Sequence, residues 1–155
     1  MKVKMICFDM DGTIADLYGV NGWLEKLRAF DPTPYVEAEP MWDMNELAEV
    51  LMALKSVGTE IRIVTWLSKE TTKEYDNAVR LAKREWLEKC GFPFDNFHGV
   101  AYGTTKANCV RKYLNEGEAI LIDDNAKVRE GWHLGEAINP TEINIVEYLK
   151  GLLNQ

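Results

Sequence analysis

Four places along the chain carry side chains able to do chemistry together: Asp9 and Asp11 with Gly12 and Thr13 behind them, Thr65 closing an apolar run, Lys106 after a pair of threonines, and Asp123-Asp124 closing another apolar run. Two carboxylates two positions apart on extended chain can point the same way, so one can attack while the other handles protons. Gly12 would let the chain turn sharply and bring backbone N–H groups close to a bound anion. A carboxylate nucleophile splits phosphoryl transfer into two easier steps, through an acyl phosphate that water then cleaves. The attacking carboxylate and the phosphate repel each other. A hard, oxygen-liganded cation removes that barrier, and Mg2+ held by one or two carboxylates plus a phosphate oxygen fits the role. Thr65 could donate its hydroxyl to a phosphate oxygen, and Lys106 could neutralise charge on the transferring group.

These residues meet only if the elements carrying them do. Val3 to Phe8 is a near-continuous apolar run, predicting a strand buried on both faces. Ile61 to Thr65, Phe97 to Tyr102 and Ala119 to Asp123 have the same character, and Ala137-Ile138 could add a short fifth strand. Helical patterns separate them. Asp43 with Glu46 makes a capping box ahead of Leu47, Val50, Leu51, Leu54 and Val57, and Gly58 stops the run. Thr71 or Thr72 opens a long helix with Tyr75, Ala78, Val79, Ala82 and Trp86 on one face. Thr104 or Thr105 caps a third helix, and Pro140-Thr141 starts a last one. Strands alternating with helices predict right-handed crossovers and an α/β fold of three layers, Rossmann-like, with one parallel sheet covered on both faces. Ligands of such sheets bind outside the carboxyl ends of the strands, where all the residues above converge.

The 155 residues fit a single domain spanning 1–155. The one irregular stretch, Asp16 to Pro40, reads as a short helix and a turn-rich excursion forming a small lid over the ends of the sheet. Its Tyr18 and Trp23, together with Trp66, could stack on a flat leaving group or simply pack the lid. Arg28, Lys26 and Lys69 could hold a second charged group. A net charge of −7 argues against binding a nucleic-acid backbone, which requires a basic patch. Cys7, Cys90 and Cys109 follow no zinc or redox spacing, and Cys7 and Cys90 read as packing residues. The N-terminus shows no signal-peptide pattern and no apolar stretch reaches bilayer length, so the expectation is a cytoplasmic protein without membrane association.

Asp9-Met10-Asp11-Gly12-Thr13 after an apolar strand resembles the first motif of the haloacid dehalogenase (HAD) superfamily of phosphatases. Thr65, Lys106 and Ile122-Asp123-Asp124 look like its second, third and fourth motifs, in the family's order. The resemblance implies a phosphatase with Asp9 as nucleophile and metal ligand, and Asp11 as general acid/base with its backbone carbonyl on the metal. It implies Asp123 as an Mg2+ ligand, and Asp124 binding the metal through water or orienting the neighbouring lysine. Gly12, Thr65, Trp66 and Lys106 would form the phosphate-binding set. Phe8 to Asp16 is similar to the start of the deoxyribonucleotidase group, although Trp66 stands where that group usually has a small hydroxyl residue. The implied substrate is a small phosphomonoester, a nucleoside monophosphate or a phosphosugar.

Other readings stay open at this level. Lys69 or Lys127 could replace Lys106, and Asp124 could merely cap the following turn. His98 and His133 have no part in such a mechanism. A phosphotransferase would use the same residues, and a non-catalytic relative would be expected to have lost Asp9 or Asp11. A phospho-receiver domain would carry its acceptor aspartate after the third strand, where this chain has Val100-Ala101-Tyr102-Gly103. A modest lid leaves the site open, and self-association as a homo-oligomer could close it.

Overall fold

The run Met5-Ile6-Cys7-Phe8 has no polar side chain and is buried throughout, the condition for a central strand covered on both faces. A computed structural model describes residues 3–155 and places this run as β1 (Met5–Phe8). The chain continues through β2 (Ala15–Asp16), α1 (Trp23–Arg28), α2 (Thr33–Glu37), β3 (Glu39–Pro40), α3 (Met44–Ser56) and β4 (Glu60–Trp66). It closes with α4 (Lys73–Lys89), β5 (Asn96–Val100), α5 (Lys106–Val110), β6 (Ala119–Ile122), α6 (Ala126–Glu130), β7 (Ala137–Ile138) and α7 (Ile145–Leu153). One parallel sheet runs in the order β5-β4-β1-β6-β7, with Phe8 opposite both Ile63 and Ile122.

Side-chain alternation sorts the strands onto two faces. Ile6 and Phe8 pack with Ile61, Ile63, Ile120 and Ile122 against Leu47 and Leu51 of α3, Leu87 of α4 and Leu149 of α7. Met5 and Cys7 pack with Val64 and Leu121 against Ala107 and Val110 of α5, and against Trp132 and Leu134. The result is the expected three-layer α/β fold. Burial pushes the Cys7 thiol up to about 12, which leaves it an inert packing residue.

Local chemistry sets the helix ends. Asp43 accepts from the N–H groups of Asn45 and Glu46, while the Glu46 carboxylate turns to Lys150 of α7 (3.1 Å) instead of completing a capping box. Thr72 caps α4 by accepting from Tyr75 N–H (3.1 Å). The last helix begins later than Pro140-Thr141 predicts. Asn139 draws Thr141 into an Asx turn, and Asn144 provides the cap by accepting from Val146 and Glu147 N–H. The short α6 was not foreseen; Asn125 caps it, and it buries no residue fully.

Between β1 and α3 the chain makes a small insertion. β2 and β3 pair antiparallel, Ala15 with Pro40 and Asp16 with Glu39, closing a loop that holds α1 and α2. Leu17 and Tyr35 of this loop pack with Leu67 and with Tyr75, Val79 and Ala82 of α4. That contact fixes the insertion over the carboxyl end of β4. Among the described residues, no helix is long and apolar enough to cross a membrane.

Candidate active site

Asp9 extends β1 by one residue, its N–H donating to Ile122 O (3.0 Å). Each of its carboxylate oxygens has a partner: Lys106 Nζ lies 2.9 Å from Oδ1 and Thr13 Oγ1 lies 3.0 Å from Oδ2. Lys106, at the start of α5, also donates to Asp123 Oδ2 (2.8 Å) and so joins the ends of β1 and β6. The other Asp123 oxygen accepts from Asn125 N–H (2.9 Å), and Asp124 N–H donates to Thr13 Oγ1 (3.2 Å). Oxygens of Asp9, Asp123 and Asp124 all lie within 4.8 Å of one another. Lys106 is the buried cation at this centre. Lys69 sits on the rim over the Tyr102 ring, and Lys127 is exposed on α6.

Gly12 acts through the space it leaves. It adopts φ +81°, and a Cβ there would strike the Asp124 carboxylate and come within 3.0 Å of the Tyr18 ring. Its N–H donates to Ala15 O, and those of Thr13, Ile14 and Ala15 turn back to Met10 O. The N–H groups expected to face an anion are therefore used within the turn itself.

Asp11 belongs to a second knot of charge. Its Oδ2 lies 3.0 Å from the ammonium of Lys83, a fully buried residue of α4. Lys83 also donates to Thr65 Oγ1 (2.7 Å) and to Trp66 O (3.0 Å). Thr65 is buried behind the cleft rather than lining it. Trp66 does line it, but its indole N–H donates to Thr104 O (2.8 Å), so the side chain offers a ligand its ring and not the expected donor.

Above these groups opens a cleft of about 1070 Å3. Asp9, Asp11, Lys106, Asp123 and Asp124 form its base; Tyr18, Trp23, Leu24, Leu27, Arg28 and Phe30 of the insertion form one wall, and Trp66, Lys69 and Tyr102 the other. Tyr18 packs edge-on to Trp23 (4.9 Å between centroids), and Trp66 lies against Tyr102 (4.8 Å). His98 of the edge strand β5 pairs with Arg62 of β4, and His133 is exposed; neither borders the cleft.

Crowding of acids at the base shows in their protonation. Burial, then the charge of Asp9, raises Asp123 to about 6. Burial, followed by its hydrogen bond with Asp9 and the charge of Asp9, raises Asp124 to about 7. Burial also raises Asp11, against the pull of Lys83. For Lys106 burial works against the charged form, yet Asp9 and Asp123 outweigh it and hold the ammonium above its ordinary value. When all of Asp9, Asp11, Asp123 and Asp124 are ionised, they exceed Lys83 and Lys106 by two negative charges. The donors facing the cleft base are carboxylate oxygens, without thiolate or imidazole, which suits a hard divalent cation such as Mg2+.

No family model matches the sequence, and no curated protein matches it by sequence. Solved structures do match by shape. The N-terminal part of a Bacteroides fragilis protein containing a phosphatase domain, complexed with Mg, superposes with a TM-score of 0.59 at 17% identity, over 97% of this chain and 40% of that one. The D,D-heptose 1,7-bisphosphate phosphatase of Burkholderia thailandensis gives 0.53 at 16% identity, over 86% of this chain and 74% of that one. A protein of Mesorhizobium loti classed as a HAD-like phosphatase gives 0.58 at 12% identity, over 98% and 86%. The fold is that of the HAD-like phosphatases. The chain thus spans two-fifths of the length of that N-terminal part of the Bacteroides protein.

Within this HAD-like fold the sequence motifs come together as their order implied, at the carboxyl ends of β1, β4 and β6 and the start of α5. Lys83 was missed. It stands four residues after Val79 and three before Trp86, on the apolar face of α4. A lysine on that face, needing buried partners, was the signal available.

Proposed function

We propose that this chain is an Mg2+-dependent phosphomonoesterase working through an aspartyl-phosphate on Asp9. The observation that carries the reading is the Asp9 carboxylate at the base of the cleft, held between Lys106 and Thr13 and grouped with Asp123 and Asp124. Asp9 attacks phosphorus, the ester oxygen leaves, and Asp11 on the same cleft base supplies its proton. Water then attacks the acyl phosphate and Asp11 takes the proton back, releasing phosphate and regenerating the Asp9 carboxylate. Lys106 faces the charge that develops on the phosphoryl oxygens. Asp9, Asp123 and Asp124, with the Asp11 backbone carbonyl implied by the resemblance, would hold Mg2+, which offsets repulsion between carboxylate and phosphate.

The aromatic walls and the cations Arg28 and Lys69 favour a small substrate with a flat leaving group, a nucleoside monophosphate among them, over a bare sugar phosphate. The test is phosphate release from p-nitrophenyl phosphate and a panel of nucleotides and sugar phosphates, with Mg2+ or EDTA, for wild type and Asp9→Asn. Metal-dependent turnover lost in Asp9→Asn supports the reading, and the best panel member names the substrate class. Folded, Mg2+-binding wild type that releases no phosphate refutes hydrolysis and favours transfer to another acceptor.

A further inference from the structure

Lys83 has an environment that packing alone does not explain. It lies in the middle of α4 with no exposed surface, among residues where an aliphatic side chain would fit. Burying an ammonium there is costly unless every proton finds an acceptor, and a buried ion pair is weak evidence for stability. All three protons are in fact matched: Thr65 Oγ1 at 2.7 Å, Trp66 O at 3.0 Å and Asp11 Oδ2 at 3.0 Å. The Tyr35 ring of the insertion covers the ammonium at 5.0 Å, and Tyr35 is itself tied to Ser68 by a 3.1 Å hydrogen bond. Two of the three acceptors, Thr65 Oγ1 and Trp66 O, belong to the end of β4, and the third, Asp11, lies at the base of the cleft.

We infer that Lys83 is a positioning residue for Asp11: anchored on Thr65 and Trp66, its ammonium holds one Asp11 oxygen and leaves the other to meet the substrate. Asp11 needs such a hold because it lies past the end of β1, on the turn around Gly12, where no strand ladder fixes its side chain. Thr65 acquires a second task here, as the rear anchor of the lysine. The inference rests on the phosphatase reading for its chemistry, but its geometry stands without it.

The experiment compares Lys83→Met with wild type on two substrates, p-nitrophenyl phosphate and an alkyl phosphate. p-Nitrophenolate leaves without needing a proton, whereas an alkoxide does not. Lys83→Met is therefore expected to lower kcat/KM for the alkyl ester by roughly 10- to 100-fold, the loss typical of groups that orient active residues. Its kcat/KM for p-nitrophenyl phosphate should fall by less than about threefold, because that ratio covers only phosphoryl transfer to Asp9 and not the water step, which both substrates share and in which Asp11 also acts. Equal loss of kcat/KM on both substrates, or none, overturns the inference. The Asp11 side chain is 16% exposed and can take up water, so the variant is expected to fold; if it does not, Lys83→Gln, which keeps a donor, replaces it. A crystal structure of the variant gives a second answer that needs no turnover. A displaced Asp11 carboxylate supports the role and an unmoved one refutes it, even if wild type hydrolyses nothing and the phosphatase reading fails.

Discussion

Replacing Lys106 by methionine keeps the volume and removes the one ammonium shared by Asp9 and Asp123. The side chains involved are nearly dry: Lys106 is 3% exposed, Asp9 11% and Asp123 1%. Breaking a buried ion pair by removing one partner costs about 3–5 kcal/mol, because the charge left behind can be neither hydrated nor matched. The protein can escape part of that cost by protonating a carboxylate. Asp123 is already raised to about 6 with the lysine in place, and losing the cation raises it further. At about pH 8, taking up that proton costs at most roughly 3 kcal/mol, since each pH unit above the pKa costs about 1.4 kcal/mol, so the escape recovers only part of the loss.

At about pH 5 the proton is bound freely and most of the penalty disappears. For a chain of this size 1 kcal/mol is about 2–4 °C, so Lys106→Met in EDTA should melt roughly 10 °C below wild type at about pH 8 and less than half as far below at about pH 5. The assay is thermal unfolding followed by circular dichroism, with EDTA or saturating Mg2+. The added cation should recover more stability in the variant than in wild type. A variant within about 2 °C of wild type at the higher pH, or an equal loss at both pH values, would refute the assigned electrostatics.

The same acids make wild type sensitive to pH. In the folded protein Asp123 and Asp124 titrate at about 6 and about 7, above their unfolded values, so the native state binds more protons. Stability in EDTA is therefore full below the unfolded carboxylate range and falls as pH rises through about 6 and 7; saturating Mg2+ should flatten that slope in melting experiments. Gly12→Ala places a methyl group against the Asp124 carboxylate and the Tyr18 ring on backbone at φ +81°. It should weaken Mg2+ binding by calorimetry and lower turnover more than 10²-fold, on the order expected for a displaced catalytic constellation; a variant with wild-type affinity and rate would show that the turn has slack.

The parts of the fold that rest on local pattern were legible in the sequence. The apolar runs of β1, β4 and β6 announce strands without water on either face, and even two-residue β7 could be read from Ala137-Ile138. Helix ends were legible where a cap sits directly before an apolar periodicity, as at Asp43 and Thr72, and misplaced at Pro140, where Asn139 and Asn144 divide the task. α6 escaped because a helix of five residues that buries none fully leaves no periodicity to detect. At the cleft, Asp9, Lys106 and Asp123 could be found because they follow strand ends or begin a helix. Lys83 could not, since its partners Asp11 and Thr65 are 72 and 18 residues away and only the packing of α4 across β4 brings them together.

The charge balance at the base of the cleft then decides what can enter it. With all four ionised, Asp9, Asp11, Asp123 and Asp124 exceed Lys83 and Lys106 by two negative charges, and a phosphate dianion would add two more. Like charges about 4 Å apart repel by roughly 4 kcal/mol per pair at the dielectric of a partly exposed site, far more than a few hydrogen bonds return. A bound divalent cation cancels the excess before the phosphate arrives. Affinity for the phosphoryl group, and not only its reaction, should thus depend on the metal. Titration calorimetry with inorganic phosphate should show binding in Mg2+ and at least about 10²-fold weaker binding in EDTA. Equal affinity in both would mean that Lys106 and its neighbours attract the anion unaided, and the assignment of the carboxylates to a metal would have to be abandoned.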